Sequence, residues 1–399
     1  MPAGSSRPKT DPLVALRREF EVSRNIVFLN AAAFGPIPRR ARLAVEELIQ
    51  RQGFLRGDPN VDNESYAMLA DLRAMFGRLV GQDRRRVGFV PNASYGLNAI
   101  LWGLDLKPGE TILVPAKEFP ALVYAIRALA SRIGVEMRAI PCPDGYFTLE
   151  SLEAELQRGA AVCAISWVQY FNGYRYDLRA VTELCHRYGC VVTVDGSQGV
   201  GAIPLNMKRD GFDALACGTQ KWLLGQTGAG FMAIAPNPIR PIRPPQSGWL
   251  SYDWGYKFGD LQRWDRPQYT DGRAWEIGSY PYFSVRLAHA GLSILTECGM
   301  TRIHHHLQAL HRRLIDGLAG SRYQPLQFPD PKNRSGIITF TGPRIAQLHR
   351  HLYSRGVYTS LREGNIRVSP HFYNTNAHFD RLVADVRAFE QSHQSRLRK

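Results

Sequence analysis

No apolar run in the 399-residue chain reaches the length of a bilayer span, so no membrane helix is predicted. The opening stretch, Met1-Pro-Ala-Gly-Ser-Ser-Arg-Pro-Lys-Thr10, has no apolar h-region and predicts a flexible tail, not a secretory signal. Ser395-Arg-Leu-Arg-Lys399 reads as a second tail. Cysteine is sparse. The six residues (Cys142, Cys163, Cys185, Cys190, Cys217 and Cys298) form no C-x-x-C pair, which argues against a zinc site or disulfide framework. Buried, reduced thiols in a cytoplasmic protein are the expectation. There is no G-x-G-x-x-G after a strand and no P-loop, which removes the common dinucleotide and nucleoside-triphosphate folds. No internal repeat occurs, and no helix-turn-helix, zinc-finger or RNA-recognition signature is found.

The charge is there to be explained. Fifty Lys and Arg against 35 Asp and Glu give a formal net charge of +15. The arginines are scattered, with Arg84-Arg-Arg86 the only tight run. Nucleic acid is therefore not the expected partner. A positive field that attracts anionic small substrates is equally compatible with the charge.

With 44% hydrophobic and 21% charged residues, the composition is that of a globular protein with a sizeable core. Residues 39–50 and 66–80 carry apolar side chains at helical spacing. From residue 87 onward, short apolar runs alternate with helical patterns. Strands are predicted at 111–114, 135–140, 162–168, 190–194, 214–217 and 230–235, with helices such as 121–133 and 178–188 between them. This alternation predicts an α/β fold with a mostly parallel, doubly wound sheet. Only a glycine-rich turn separates the fifth of these strands from the sixth, so the sixth is predicted to return antiparallel. Residues 236–271 read as irregular and aromatic-rich. Helices at 282–298, 302–318 and 379–389, with strands at 337–340 and 366–369, suggest a smaller α+β C-terminal domain. The expected organisation is an N-terminal arm (1–24), a large α/β domain (25–271) and the small domain (272–399).

Two residues carry the chemistry. Val191-Val-Thr-Val-Asp195-Gly-Ser-Gln198 ends an apolar run on a carboxylate, where open α/β sheets bind ligands. A plain helix cap or a ribose-binding acid would explain Asp195 alone. Lys221, in Cys217-Gly-Thr-Gln-Lys221-Trp-Leu-Leu, follows another apolar run. A surface lysine with its stem on Trp222 would explain it alone. Together, 221 − 195 = 26 residues apart and joined by one helix-sized crossover, they suit pyridoxal phosphate: the lysine forms the Schiff base and the aspartate keeps the pyridine ring protonated. Pro91-Asn-Ala-Ser94 opens a helix after the strand-like Val87–Val90. The backbone N–H groups there, with the Ser94 hydroxyl, suit a phosphate, although an ordinary Asn/Ser cap reads the same way. Arg367, in Gly364-Asn-Ile-Arg-Val-Ser-Pro370, offers a two-pronged clamp for a substrate carboxylate, with a structural ion pair as the alternative.

In this order the pieces resemble the class V aminotransferase family, fold type I pyridoxal-phosphate enzymes that include cysteine desulfurases and isopenicillin-N-epimerase-like proteins. The resemblance runs from Phe28-Leu-Asn-Ala-Ala-Ala-Phe-Gly-Pro36 to Arg367-Val-Ser-Pro-His-Phe-Tyr-Asn-Thr375. It implies that Lys221 and Asp195 are catalytic. It implies cofactor contacts from Ala93, Ser94, Phe119, Tyr170, Gln198 and Gln220, with Phe119 stacked on the ring. It implies substrate contacts from Asn30, Phe34 and Arg367. Glu276-Ile-Gly278-Ser279 resembles a segment that reaches the partner subunit's phosphate, which implies a homodimer with shared sites. Four departures stand out. Residues 355–367 contain no cysteine, which argues against persulfide-forming desulfuration. Gln220 and Phe119 replace histidines, and Tyr170 stands where desulfurases place an asparagine.

The resemblance implies an amino-acid substrate whose Cα proton is taken by Lys221. Transamination is expected first, with β-elimination (C–S lyase) and epimerisation or racemisation as alternatives. A non-catalytic regulatory protein on the same fold is the rival of another class. The run Arg302-Ile-His-His-His306 suggests metal, but consecutive residues on a helix point in different directions, so a solvated helix face is expected and no metal site.

Overall fold

A computed structural model describes residues 11–21, 26–54, 59–255 and 260–397. Most of the predicted N-terminal arm and the last two residues of the C-terminal tail lie outside the described residues.

The core is a seven-stranded sheet of β1 (Val87–Val90), β2 (Thr111–Pro115), β3 (Glu136–Ile140), β4 (Val162–Ser166), β5 (Val191–Asp195), β6 (Ala214–Gly218) and β7 (Gly230–Ile234), in the order β1-β7-β6-β5-β4-β2-β3. β2 to β6 are parallel, and β7 runs antiparallel to both of its neighbours. The β6–β7 turn is too short for a crossover, so the chain can only fold back. β4, β5 and β6 are buried at every residue, which explains their unbroken apolar runs. One apolar layer covers each face of the sheet.

Helices α1 (Arg39–Phe54), α2 (Pro59–Val80), α3 (Ala93–Trp102), α4 (Pro120–Ile133), α5 (Leu149–Leu156), α6 (Leu178–Arg187), α7 (Tyr282–Cys298) and α8 (Met300–Gly317) surround the sheet. α7 packs against α1 and α2. The connection from β5 to β6 departs from expectation. Its one helix is the single turn Met207–Asp210, and the rest is a run of turns. Gly196, Gly199 and Gly201 let this backbone lie against Leu215, Trp167 and Trp222, leaving no room for a longer helix.

A four-stranded antiparallel sheet lies further along the chain: β8 (Gln324–Pro325), β9 (Ile338–Thr341), β10 (Ser360–Arg362) and β11 (Asn365–Val368), in the order β10-β11-β9-β8. It packs with α9 (Ile345–Ser354) and α10 (Asn376–Leu397) around a separate apolar cluster. Val27 and Leu29 belong to that cluster. The N-terminal segment thus ties the small sheet to the large one, with Asn30 bridging to Ser369 and Val27 pairing with Val357.

The histidine run departs from a solvated face. His306 Nε2 bonds the Asn374 carbonyl at 2.8 Å, and buried His311 bonds the Gly336 carbonyl at 3.2 Å. Only His305 is exposed. The reason is that α8 packs against α10 and the adjoining loop.

Candidate active site

Asp195 ends β5 and Lys221 stands three residues beyond the end of β6, so the two lie at the same edge of adjacent parallel strands. The Lys221 amine lies 5.5 Å from the centre of the Phe119 ring. Burial holds this amine below the ordinary lysine value, the Asp195 carboxylate opposes that, and the Arg367 guanidinium adds to it. The geometry therefore favours a free, nucleophilic amine beside an anion. One Asp195 oxygen accepts the Ser197 N–H at 2.8 Å. The other has no hydrogen-bond partner among the described residues.

The frame around Lys221 is rigid. Trp222 is fully buried and its Nε1 donates to Gln198 Oε1 at 3.0 Å, while Gln198 Nε2 donates to the Ala32 carbonyl at 3.1 Å. His371 Nε2 meets the Trp222 carbonyl at 3.0 Å. Gly35 donates its N–H to the Gln220 carbonyl at 2.7 Å, and a Cβ there would lie 2.5 Å from the Lys221 carbonyl oxygen. Only glycine lets residues 30–35 approach the lysine this closely. Gln220 folds back over Gly218, and its Oε1 is buried without a partner.

Arg367 lies on β11, beside Ser360 on β10. Its Nη1 donates to the Tyr170 carbonyl at 2.7 Å and its Nη2 to Ser360 Oγ at 3.5 Å, and Ser360 Oγ in turn donates to Asn30 Oδ1 at 2.6 Å. Its Nε is buried and has no partner. No carboxylate pairs with it among the described residues. Burial first, then neighbouring Arg362, push its pKa down to about 10. The ring of Tyr170 meets Phe119 edge-on at 5.3 Å, and its hydroxyl lies 3.5 Å from Glu363 at the β10–β11 tip.

Helix α3 brings free backbone N–H groups to the same side of the sheet. Asn92 caps it by accepting the Tyr95 N–H at 2.8 Å, leaving the first-turn N–H groups of Ala93 and Ser94 without a partner in the helix. Gly230, paired with Gly218 across β6 and β7, lies against Asn92, which brings this helix end to the strand edge that leads to Lys221.

The fold thus gathers Asn30, Phe119, Tyr170, Asp195, Gln198, Gln220, Lys221 and Arg367, with Ala93 and Ser94 at the adjoining helix end. Phe34 shares the 30–35 turn but is exposed. Ser279 lines a cavity with Tyr280, Pro91 and Tyr95, the last two flanking the N-terminus of α3. Glu276 anchors this segment: it is buried, paired with Arg73, and accepts the Phe89 N–H at 2.9 Å. Sequence reasoning passed over Glu118, Ser166, Ser360 and Glu363. For Glu118 a signal existed: a lone acid just after the apolar run 111–115, where a strand end opens onto the ligand edge.

These residues fit pyridoxal phosphate: a free amine, a carboxylate with an open oxygen beside it, unpaired N–H groups at a helix end, and a buried guanidinium without an anion. A doubly wound, mostly parallel sheet with this lysine and aspartate at adjacent strand ends is the arrangement of fold type I pyridoxal-phosphate enzymes. The profile of the family described as Aminotransferase class-V matches residues 27–382, and the chain belongs to that family. Its cofactor is pyridoxal phosphate.

Among relatives, the chain is 26% identical to the "Uncharacterized aminotransferase YcbU" of Bacillus subtilis (strain 168), over 79% of this chain and 82% of that protein. It is 28% identical to isopenicillin N epimerase of Streptomyces clavuligerus, over 90% and 93%. Kynureninase of Pseudomonas fluorescens is 24% identical, over 89% and 86%. Among solved structures, the cystine C-S lyase C-DES in complex with cysteine persulfide superposes with a TM-score of 0.83 at 21% identity, covering 92% of this chain and 98% of that one. The relatives' reactions differ, so family membership establishes a class V pyridoxal-phosphate enzyme and not one reaction.

Proposed function

We propose that this enzyme transaminates an α-amino acid. The observation that carries the substrate class is Arg367: a buried guanidinium, within electrostatic reach of Lys221, with no acid paired to it among the described residues. Its open Nε and the nearby Asn30 and Ser360 form a clamp that a substrate α-carboxylate completes.

Bound pyridoxal phosphate supplies an electron sink for the negative charge that develops at the substrate Cα. Asp195 holds the proton on the ring nitrogen. Lys221 would attach the cofactor at rest, and its amine, once freed, would take up and hand on the substrate Cα proton. Phe119 covers one face of the ring and excludes water. Ala93, Ser94 and Gln220 hold the phosphate. Ser279, in the segment Glu276-Ile-Gly278-Ser279, serves the partner subunit's site in a homodimer. Six unpaired, buried thiols support a cytoplasmic setting.

A second reading, β-elimination, draws support from the Tyr170 hydroxyl beside Glu363, a proton source for a departing side chain. Persulfide chemistry on the protein has no such support, because every cysteine is buried. The test is product analysis. Transamination yields one equivalent of keto acid per site without ammonia, and continues only when a keto-acid acceptor is added. Elimination releases ammonia and keto acid continuously with no acceptor. Continuous ammonia release from the substrates screened would overturn the transaminase assignment.

A further inference from the structure

We propose that Glu118 is a positioning residue of the cofactor pocket: it clamps Phe119 to the end of β4 and sets a second carboxyl within electrostatic reach of Asp195. This rests on the reading that Asp195 and Phe119 border the bound ring.

Glu118 stands between β2 and α4, and its carboxyl is buried. One oxygen accepts the Phe119 N–H at 2.5 Å and the Ser166 hydroxyl at 2.6 Å; the other accepts the Ser166 N–H at 2.8 Å. Phe119 is the N-cap of α4 and has no side-chain cap of its own, so Glu118 ties that helix end down. Ser166 is the register partner of Asp195 across β4 and β5. One carboxyl therefore joins the residue that faces Lys221 to Ser166, whose cross-strand neighbour is the catalytic acid. It forms no ion pair among the described residues.

A buried acid without a cation is uncommon, and this one accepts three hydrogen bonds on its two oxygens. Burial pushes the Glu118 pKa up to about 7, its three hydrogen bonds oppose this, and the Asp195 charge adds to it. The other ionisable groups facing it are Cys142, Cys163, Tyr170 and Tyr176, all raised above their ordinary values and neutral near pH 7. Neighbouring Lys117 is exposed. Beyond burial and its own hydrogen bonds, the charge that bears on Glu118 near neutrality is that of Asp195 and whatever Asp195 faces. A protonated ring nitrogen on Asp195 favours the Glu118 anion, and that anion in turn stabilises the proton.

The test uses the full chain loaded with pyridoxal phosphate, with Glu118→Gln, Ser166→Ala and Glu118→Asp compared with wild type. The readouts are the cofactor dissociation constant and the pH midpoint of the visible absorption band. Removing a negative charge lets nearby cationic groups lose protons sooner, so Glu118→Gln should lower the midpoint by about half to one unit and weaken cofactor binding roughly three- to tenfold. Ser166→Ala removes a bond that favours the anion, so it should shift the midpoint the same way but less. Glu118→Asp should restore part of the shift. A purely structural clamp would alter affinity but leave the midpoint in place, and that result in Glu118→Gln, or in Ser166→Ala where Glu118→Gln does not fold, overturns the assignment. A wild-type protein that takes up no cofactor would instead sink the reading of the pocket itself, and the role of Glu118 with it.

Discussion

A guanidinium buried without an acid is costly, and Arg367 is held in that state by one backbone carbonyl and one hydroxyl. The arrangement is intelligible if a substrate carboxylate supplies the missing charge. Charge-assisted bonds of this kind contribute about 1.5–3 kcal/mol each. Arg367→Ala should therefore raise KM for amino acids roughly 10- to 100-fold while leaving cofactor loading intact. Arg367→Lys should recover only part, because an ammonium cannot reproduce the fork. Steady-state kinetics on a responsive amino acid checks both; an unchanged KM would remove Arg367 from the substrate site. Asn30 acts through Ser360, so Asn30→Ala should produce a smaller change in the same direction.

At the scale of elements, the site depends on three segments far apart in sequence: residues 29–35, the turn after β6, and the end of β11. Ser369 Oγ accepts the Ala32 N–H at 3.1 Å, His371 holds the Trp222 carbonyl, and Gly35 rests on the lysine backbone. Gly35→Ala forces a Cβ into the Lys221 carbonyl, so it should lower cofactor occupancy and destabilise the fold by about 1–3 kcal/mol. Thermal unfolding with and without cofactor measures this, and a variant that loads and melts like wild type would refute the packing argument. Much of this level was legible beforehand. Buried strands such as 191–195 and 214–218 announce themselves as apolar runs, and the short glycine-rich turn fixed the direction of β7. The β5–β6 connection was not legible, because its helix yields to close glycine packing against Trp167 and Trp222, a tertiary demand that local pattern does not carry. Asp195, Lys221 and Arg367 stand at strand ends or on strands flanked by distinctive residues and could be singled out. Glu118 and Ser360 are ordinary polar residues whose meaning lies in what the fold puts beside them. The helical spacing in α8 was right, yet the fate of its histidines depended on the loop around Asn374.

Across the whole molecule, burial leaves several imidazoles neutral. Burial pushes His304 and His371 down to about 4 and His311 to about 3, from an ordinary 6.5. A base whose folded pKa is depressed contributes stability that is present above the unfolded value and lost as pH falls toward the folded one. Glu118 works in the opposite sense, because its raised pKa costs stability as pH climbs from the carboxylate range toward 7. Three imidazoles outweigh one carboxyl, so folding stability should fall as pH drops from about 6.5 to 4, by on the order of several kcal/mol. Urea titrations across that range check the sign; stability that rises on acidification would contradict it. His371→Asn should flatten the dependence, since it removes one of the three titrations.

The central claim is that Lys221 carries the cofactor. Incubation with pyridoxal phosphate, reduction with borohydride and peptide mapping by mass spectrometry tests it directly. One phosphopyridoxyl group per chain is expected, on Lys221, and none in Lys221→Ala, which should also lose the yellow colour and at least roughly 10³-fold in turnover. A label on another lysine, or a Lys221→Ala protein that remains yellow and active, would contradict it.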